Sequence, residues 1–167
     1  MKIGITGGIG SGKSYVCRLL QQRGIEVYDC DAAAKRLIAP SADLRAQLTA
    51  LIGSLEKADI ARFLLKSEAN AHAIDAIVHP AVFHDFEQSG CQWMESAILF
   101  ESGARQYVDY AVIVTAPEEV RISRVMQRDD ISREKVLEWM RRQWSQDHVR
   151  QMADFEVVND GIIDLDA

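Results

Sequence analysis

The chain has 167 residues, 48% hydrophobic and 26% charged, with a net charge of −6 and a pI near 5.2. A domain of this length buries roughly 70% of its unfolded surface, so one real core is expected, and the composition fits neither disorder nor a fibre. The acidic balance gives no chain-wide footprint for nucleic acid, and apolar runs such as Ser96–Phe100 (SAILF) and Tyr110–Val114 (YAVIV) are too short for a bilayer span of about 20 residues.

Met1 leads straight into KIGIT without a basic segment or an apolar signal core. Cys17, Cys30 and Cys91 are odd in number and widely spaced, which fits reduced thiols better than a disulfide framework or a zinc site. A cytoplasmic protein with no nucleic-acid, membrane or protein partner is expected.

Lys2–Thr6 reads as a strand and Ser14–Gln22 as a helix, with Val16, Leu19 and Leu20 at helical spacing and Gly24 as the stop. Glu26–Tyr28 is a second strand, and AAAKRLI (Ala32–Ile38) prefers helix. From Asp43 to Gln88 the apolar residues fall at helical intervals, broken by Pro40, Gly53 and Pro80. Gln92–Phe100, Tyr110–Thr115 and Phe155–Val158 are the remaining strand candidates. Pro117 opens a helix through Arg128, and a further helix runs from Ser132 to about Gln146. The tail DGIIDLDA has no clear helical pattern. About five strands alternating with helices define an α/β fold, a parallel sheet covered on both faces.

Between the first strand and helix, Gly7-x-x-x-x-Gly12-Lys13-Ser14 satisfies the phosphate-loop (P-loop) pattern in the context that pattern needs. Its glycines free successive N–H groups to converge on phosphate oxygens, so Gly8, Ile9, Gly10, Ser11, Gly12, Lys13, Ser14 and Tyr15 are the candidate nucleotide-binding residues. Lys13 is placed to neutralise charge between the β- and γ-phosphates, and the Ser14 hydroxyl to ligate Mg2+; ATP and Mg2+ are the expected cofactors.

A P-loop serves kinases, switches and motors alike, so the acceptor side has to decide. Asp31 ends the second strand, where strand ends open onto a ligand crevice, and can either accept a hydroxyl proton or cap the helix at Ala32. Arg124 and Arg128 share a helix face, where they can pinch a transferred phosphoryl group or pair with acids such as Asp129.

TGGIGSGKS (Thr6–Ser14), DCDAAAKRL (Asp29–Leu37), His79-Pro80, LFE (Leu99–Glu101), RVMQRDD (Arg124–Asp130) and ADFEVVNDG (Ala153–Gly161) together resemble the dephospho-CoA kinase family over essentially the whole chain. The resemblance implies ATP-dependent phosphorylation of the ribose 3′-hydroxyl of dephospho-CoA, the last step of coenzyme A synthesis. It implies one P-loop kinase domain in three parts: a core at about 1–40, 90–120 and 153–167, a helical CoA-binding region at about 41–89, and a lid at about 121–150. By position it makes Asp31 the catalytic carboxylate, Lys13 the phosphate clamp and Arg124 and Arg128 the lid arginines, with Lys35, His79 and Glu101 on the substrate side. Departures from the family pattern are Tyr15 after the P-loop serine, Ala97 where a proline is common, and Gln146 and Val149 at positions usually basic. The rival readings are another P-loop kinase for nucleosides or nucleotides, and a non-catalytic nucleotide-binding regulatory module.

Overall fold

The computed structural model describes residues 1–166. In chain order its elements are β1 (Ile3–Thr6), α1 (Lys13–Gln22), β2 (Val27–Asp29), α2 (Cys30–Ile38), α3 (Ala42–Ile52), α4 (Lys57–Lys66), α5 (Glu68–Ser89), β3 (Trp93–Glu95), β4 (Tyr110–Thr115), α6 (Glu118–Asp129), α7 (Arg133–Arg141), α8 (Gln146–Met152) and β5 (Phe155–Val158), with a 3-10 turn at Ala104–Tyr107. They fall into two compact units, one of Met1–Asp29 with the chain from Cys91 onward, the other Cys30–Gly90.

The first unit is built on a five-stranded parallel sheet in the order β2-β3-β1-β4-β5. β1 lies in the middle, Ile3 pairing with Trp93 on one side and Tyr110 on the other, so the loop after Thr6 leaves from the centre of the sheet. β-branched residues in IGIT and YAVIVT suit buried pleated strands, whereas FEVV at the sheet edge is largely exposed. Ile5, Cys17, Val27 and Val114 form one buried cluster, with Leu20 and Trp93 packed on it. A second cluster, Ile122, Val125 and Val136, ties α6 to α7 and takes the side chain of Ile9 from the glycine loop. Burying each such side chain contributes about 1.5–3 kcal/mol, so the loop is fastened to two helices by an apolar anchor.

The second unit is helical: α2 to α5, with Leu44, Leu48, Val78, Val82, Phe83 and Phe86 buried. Ser41 caps α3 by accepting from Leu44 N–H at 3.2 Å, and Ser67 caps α5 by accepting from Asn70 N–H at 3.3 Å. This unit starts at Cys30 and so takes in α2, which the sequence reading assigns to the core.

Three expectations are corrected. Pro80 does not break the helical region: it lies inside α5, which runs 22 residues. An interior proline costs about 3 kcal/mol, and the four buried side chains of this helix outweigh it. The strand expected at Gln92–Phe100 stops at Glu95, and the chain then turns, with Ser102 N–H on Ile98 O at 2.9 Å and Gly103 N–H on Phe100 O at 3.2 Å. The helix expected to reach Gln146 ends at Arg141 and restarts as α8 under a Ser145 cap. At this break Gln143 Oε1 accepts from Ile9 N–H, and Gln146 Oε1, on the first residue of α8, accepts from Ala116 N–H.

Candidate active site

From Thr6 the chain turns tightly, Ser11 N–H donating to Gly8 O at 3.0 Å, before α1 begins. Gly12 is the N-cap with φ 87°, in the left-handed region, and a Cβ there would fall 2.0 Å from Asn159 Nδ2; only glycine meets both demands. No side chain caps α1, so its leading N–H groups and its positive dipole end are left for an anion.

Glu95, the last residue of β3 and in register with Ile5, meets the start of that helix. Lys13 Nζ donates to Glu95 Oε1, and Ser14 Oγ donates to the same oxygen at 3.0 Å. The two charged side chains are only 14% and 13% exposed. Burial pushes the Glu95 carboxyl up, but the hydrogen bond and charge of Lys13, helped by Cys17 and Ser14, more than reverse this and hold it below its ordinary range. Cys17 is driven the other way: burial first, then the Glu95 charge, push its thiol up to about 12. A hydroxyl and a carboxylate oxygen this close are the hard donors Mg2+ takes from a protein while phosphate and water fill its other positions. The residues present therefore fit a Mg2+–nucleotide complex.

The back of the loop is laced to the other end of the sheet. Arg124 Nη1 donates to Asn159 O at 2.9 Å and, at 3.4 Å each, to Gly10 O and Ser11 O, while Asn159 Nδ2 donates to Ser11 O at 3.0 Å. Arg121 Nε donates to Ile9 O at 2.9 Å, and Gln143 Oε1 accepts from Ile9 N–H at 2.8 Å. Arg128 is exposed and holds Asp129 through Nε at 2.8 Å and Nη2 at 2.7 Å. Arg124 and Arg128 thus point to different partners. Tyr15 is exposed, with Arg18 5.9 Å from its ring centre, and Glu101 is half-buried in the turn after β3.

In the helical unit, Asp31 lies in the first turn of α2 and Lys35 one turn on, both exposed. An acid in the first turn is favoured by the helix dipole. His79 Nε2 is 3.5 Å from Asp75 Oδ1, and its ring centre is 5.5 Å from that of Phe83. Burial pulls the His79 pKa below its ordinary value, opposed by the charges of Asp75 and Asp31, so α2 and α5 bring Asp31 and His79 within electrostatic reach.

The sequence reading missed Glu95, Arg121, Gln143 and Asn159 as site residues. Two carried a signal: Glu95 as a lone acid ending WME, and Asn159 within the ADFEVVNDG motif.

A parallel sheet with a central glycine loop, a lysine and a serine at the following helix start, and an acid on the neighbouring strand define a P-loop kinase fold. The chain belongs to the dephospho-CoA kinase family, whose model matches residues 1–164. It is 39% identical over 175 residues to the dephospho-CoA kinase of Bacteroides fragilis, covering 96% of this chain and 85% of that one. A crystal structure of TT1252 from Thermus thermophilus superposes with a TM-score of 0.83 at 33% identity, over 97% of this chain and 90% of that one. The dephospho-CoA kinase from Campylobacter jejuni shares the fold, with a TM-score of 0.63 at 19% identity over 96% of this chain and 89% of that one. The family uses ATP. Among the described residues no helix is long and apolar enough to cross a membrane.

Proposed function

We propose that this chain transfers the γ-phosphoryl group of ATP to the ribose 3′-hydroxyl of dephospho-CoA, giving coenzyme A and ADP. The observation that carries the reading is the family match over residues 1–164, borne by a chain in which Lys13 and Ser14 converge on one Glu95 oxygen at the phosphate loop.

Gly8 to Tyr15 cradle the nucleotide phosphates through backbone N–H groups. Lys13 exchanges its Glu95 partner for the β- and γ-oxygens, and Ser14 and Glu95 would hold Mg2+. When bound, Mg2+ neutralises charge developing between the β- and γ-phosphates. Asp31 orients the acceptor hydroxyl and takes its proton as that oxygen bonds to phosphorus and the bond to ADP breaks. Lys35, His79 and Glu101 hold the acceptor. Arg124 and Arg128 steady the transferred group; the exposed Arg128–Asp129 pair is weak and yields readily to a phosphate. Residues 41–89 serve as the CoA-binding region and 121–150 as a lid on the core of 1–40, 90–120 and 153–167. The protein works in the cytoplasm, on a small-molecule substrate.

A coupled assay of ADP release with ATP and Mg2+ tests this. Turnover that requires dephospho-CoA, with a product one phosphate heavier, is expected; turnover with adenosine or AMP instead would redirect the assignment to a nucleoside or nucleotide kinase.

A further inference from the structure

Arg121, on the first turns of α6, is 7% exposed, yet among the described residues the one carboxylate acting on it is Glu118, by charge alone. Its one hydrogen bond among the described residues is Nε to Ile9 O at 2.9 Å. The two Nη groups have no acceptor there, and they are not sealed, since among the described residues the one fully enclosed side-chain atom without a partner is Ser11 Oγ. A guanidinium this buried, with one hydrogen bond and only the charge of Glu118 acting on it, has its Nη groups available for an anion beside the phosphate loop.

The geometry says where that anion lies. Arg121 Nη2 is 2.4 Å, and Gln143 Oε1 3.5 Å, from the point a Cβ on Gly8 would occupy, so both lie over the same glycine. Gln143 Oε1 also accepts from Ile9 N–H at 2.8 Å. A neutral oxygen thus sits on a loop N–H with a cation beside it, a pattern of charges that a phosphate oxygen completes better than a carboxamide does. The N–H groups at the start of α1 would take the inner phosphates, with the Lys13 side chain reaching the β- and γ-oxygens; Gly8–Ile9, at the opposite end of the loop, is left for a further oxygen of the terminal phosphate.

We propose that Arg121 is a phosphate-binding residue of this site, its Nη groups taking an oxygen of the terminal phosphate of ATP, and that the same oxygen displaces Gln143 from Ile9 N–H. The bond from Arg121 Nε to Ile9 O stays in place and aims the fork. This deepens the reading of ATP as phosphoryl donor and makes the Gly8–Ile9 end of the loop the part that tells ATP from ADP.

The test is calorimetric titration of the whole protein with ATP and ADP, for wild type, Arg121→Gln, Arg121→Lys and Gln143→Ala. Arg121→Gln keeps an N–H for Ile9 O but loses the charge, and is expected to weaken ATP roughly tenfold or more and ADP less than about threefold. Arg121→Lys is expected to lose less than Arg121→Gln, and Gln143→Ala to bind ATP more tightly because its competitor is gone. Equal losses of ATP and ADP in Arg121→Gln, or none, would make Arg121 a strut under the loop and overturn the proposal. Should the variants not fold, the Ile9 amide and Arg121 Nε–H resonances of wild type decide: shifts with ATP that ADP does not reproduce support the proposal, and identical spectra overturn it. Nucleotide titration needs no acceptor, so failed transfer to dephospho-CoA with these binding results intact would overturn only the acceptor assignment.

Discussion

Lys13 and Glu95, 82 residues apart in sequence, form a mostly buried ion pair whose carboxylate oxygen is shared with the Ser14 hydroxyl. The lysine of the P-loop motif is thereby held against the acid, and the Mg2+ of the proposed reaction would find two oxygen donors side by side in Glu95 and Ser14.

Glu95→Gln preserves the volume and removes the charge. Turnover is expected to fall roughly 100-fold, with ATP affinity changed only a few-fold. Steady-state rates over a range of Mg2+ concentrations check this, and a variant within threefold of wild type at every concentration would take Glu95 out of the site.

Glu95 also shows why part of the site was not legible in the sequence. The phosphate loop was, because its function depends on spacing within eight residues, and the alternation of strands and helices was, because β-branched runs and helical periods are local. The role of Glu95 depends on β3 lying beside β1, a strand order that no local pattern records. Arg121 and Gln143 reach Ile9 across 112 and 134 residues, and nothing in their neighbourhoods distinguishes them from surface side chains. Pro80 misled for the converse reason: its local rule is sound, and burial of Val78, Val82, Phe83 and Phe86 overrides it.

Ser11 Oγ is sealed from solvent with no hydrogen-bond partner among the described residues. An unmet buried hydroxyl costs about 1–3 kcal/mol, so Ser11→Ala is expected to stabilise the protein by about 1 kcal/mol once the small void is counted. Urea denaturation measures this. A loss of stability would mean that the hydroxyl is satisfied.

Cys17 donates to Glu95 and has its thiol pKa raised from 9.0 to about 12 by burial and by that carboxylate. Only the thiolate is alkylated, so near neutral pH its reactivity is expected to be roughly 1,000-fold below that of an ordinary thiol, beyond what exposure alone imposes. Iodoacetamide labelling followed by peptide mapping gives the rate; labelling of Cys17 as fast as in the urea-unfolded chain would contradict the geometry. In Glu95→Gln the rate is expected to rise, because the charge that disfavours the thiolate is gone.

His79 has its folded-state pKa below the unfolded value of 6.5 because it is buried, despite Asp75 and Asp31. The unfolded chain then binds the proton more readily. The contribution of His79 to stability is whole above pH 6.5 and is lost as pH falls through that value toward the lower folded one. Urea midpoints between about pH 7.5 and 5.5 are expected to fall more steeply for wild type than for His79→Gln. Parallel slopes would show that His79 titrates alike in both states.

Asp31 has two roles to choose between, and they separate experimentally. As an acid in the first turn of α2 it favours the helix start, an effect of at most about 1 kcal/mol at an exposed position. As the group that takes the acceptor proton it is worth roughly 100-fold to 10,000-fold in rate. Asp31→Asn keeps the shape and the capacity to accept a hydrogen bond but removes the base. Turnover is therefore expected to drop by that factor while ATP affinity and urea stability barely move, and Lys13→Ala is expected to show the reverse order, with nucleotide affinity failing first. Unchanged turnover in Asp31→Asn would confine the residue to the helix start and leave the proton to another group on the acceptor side.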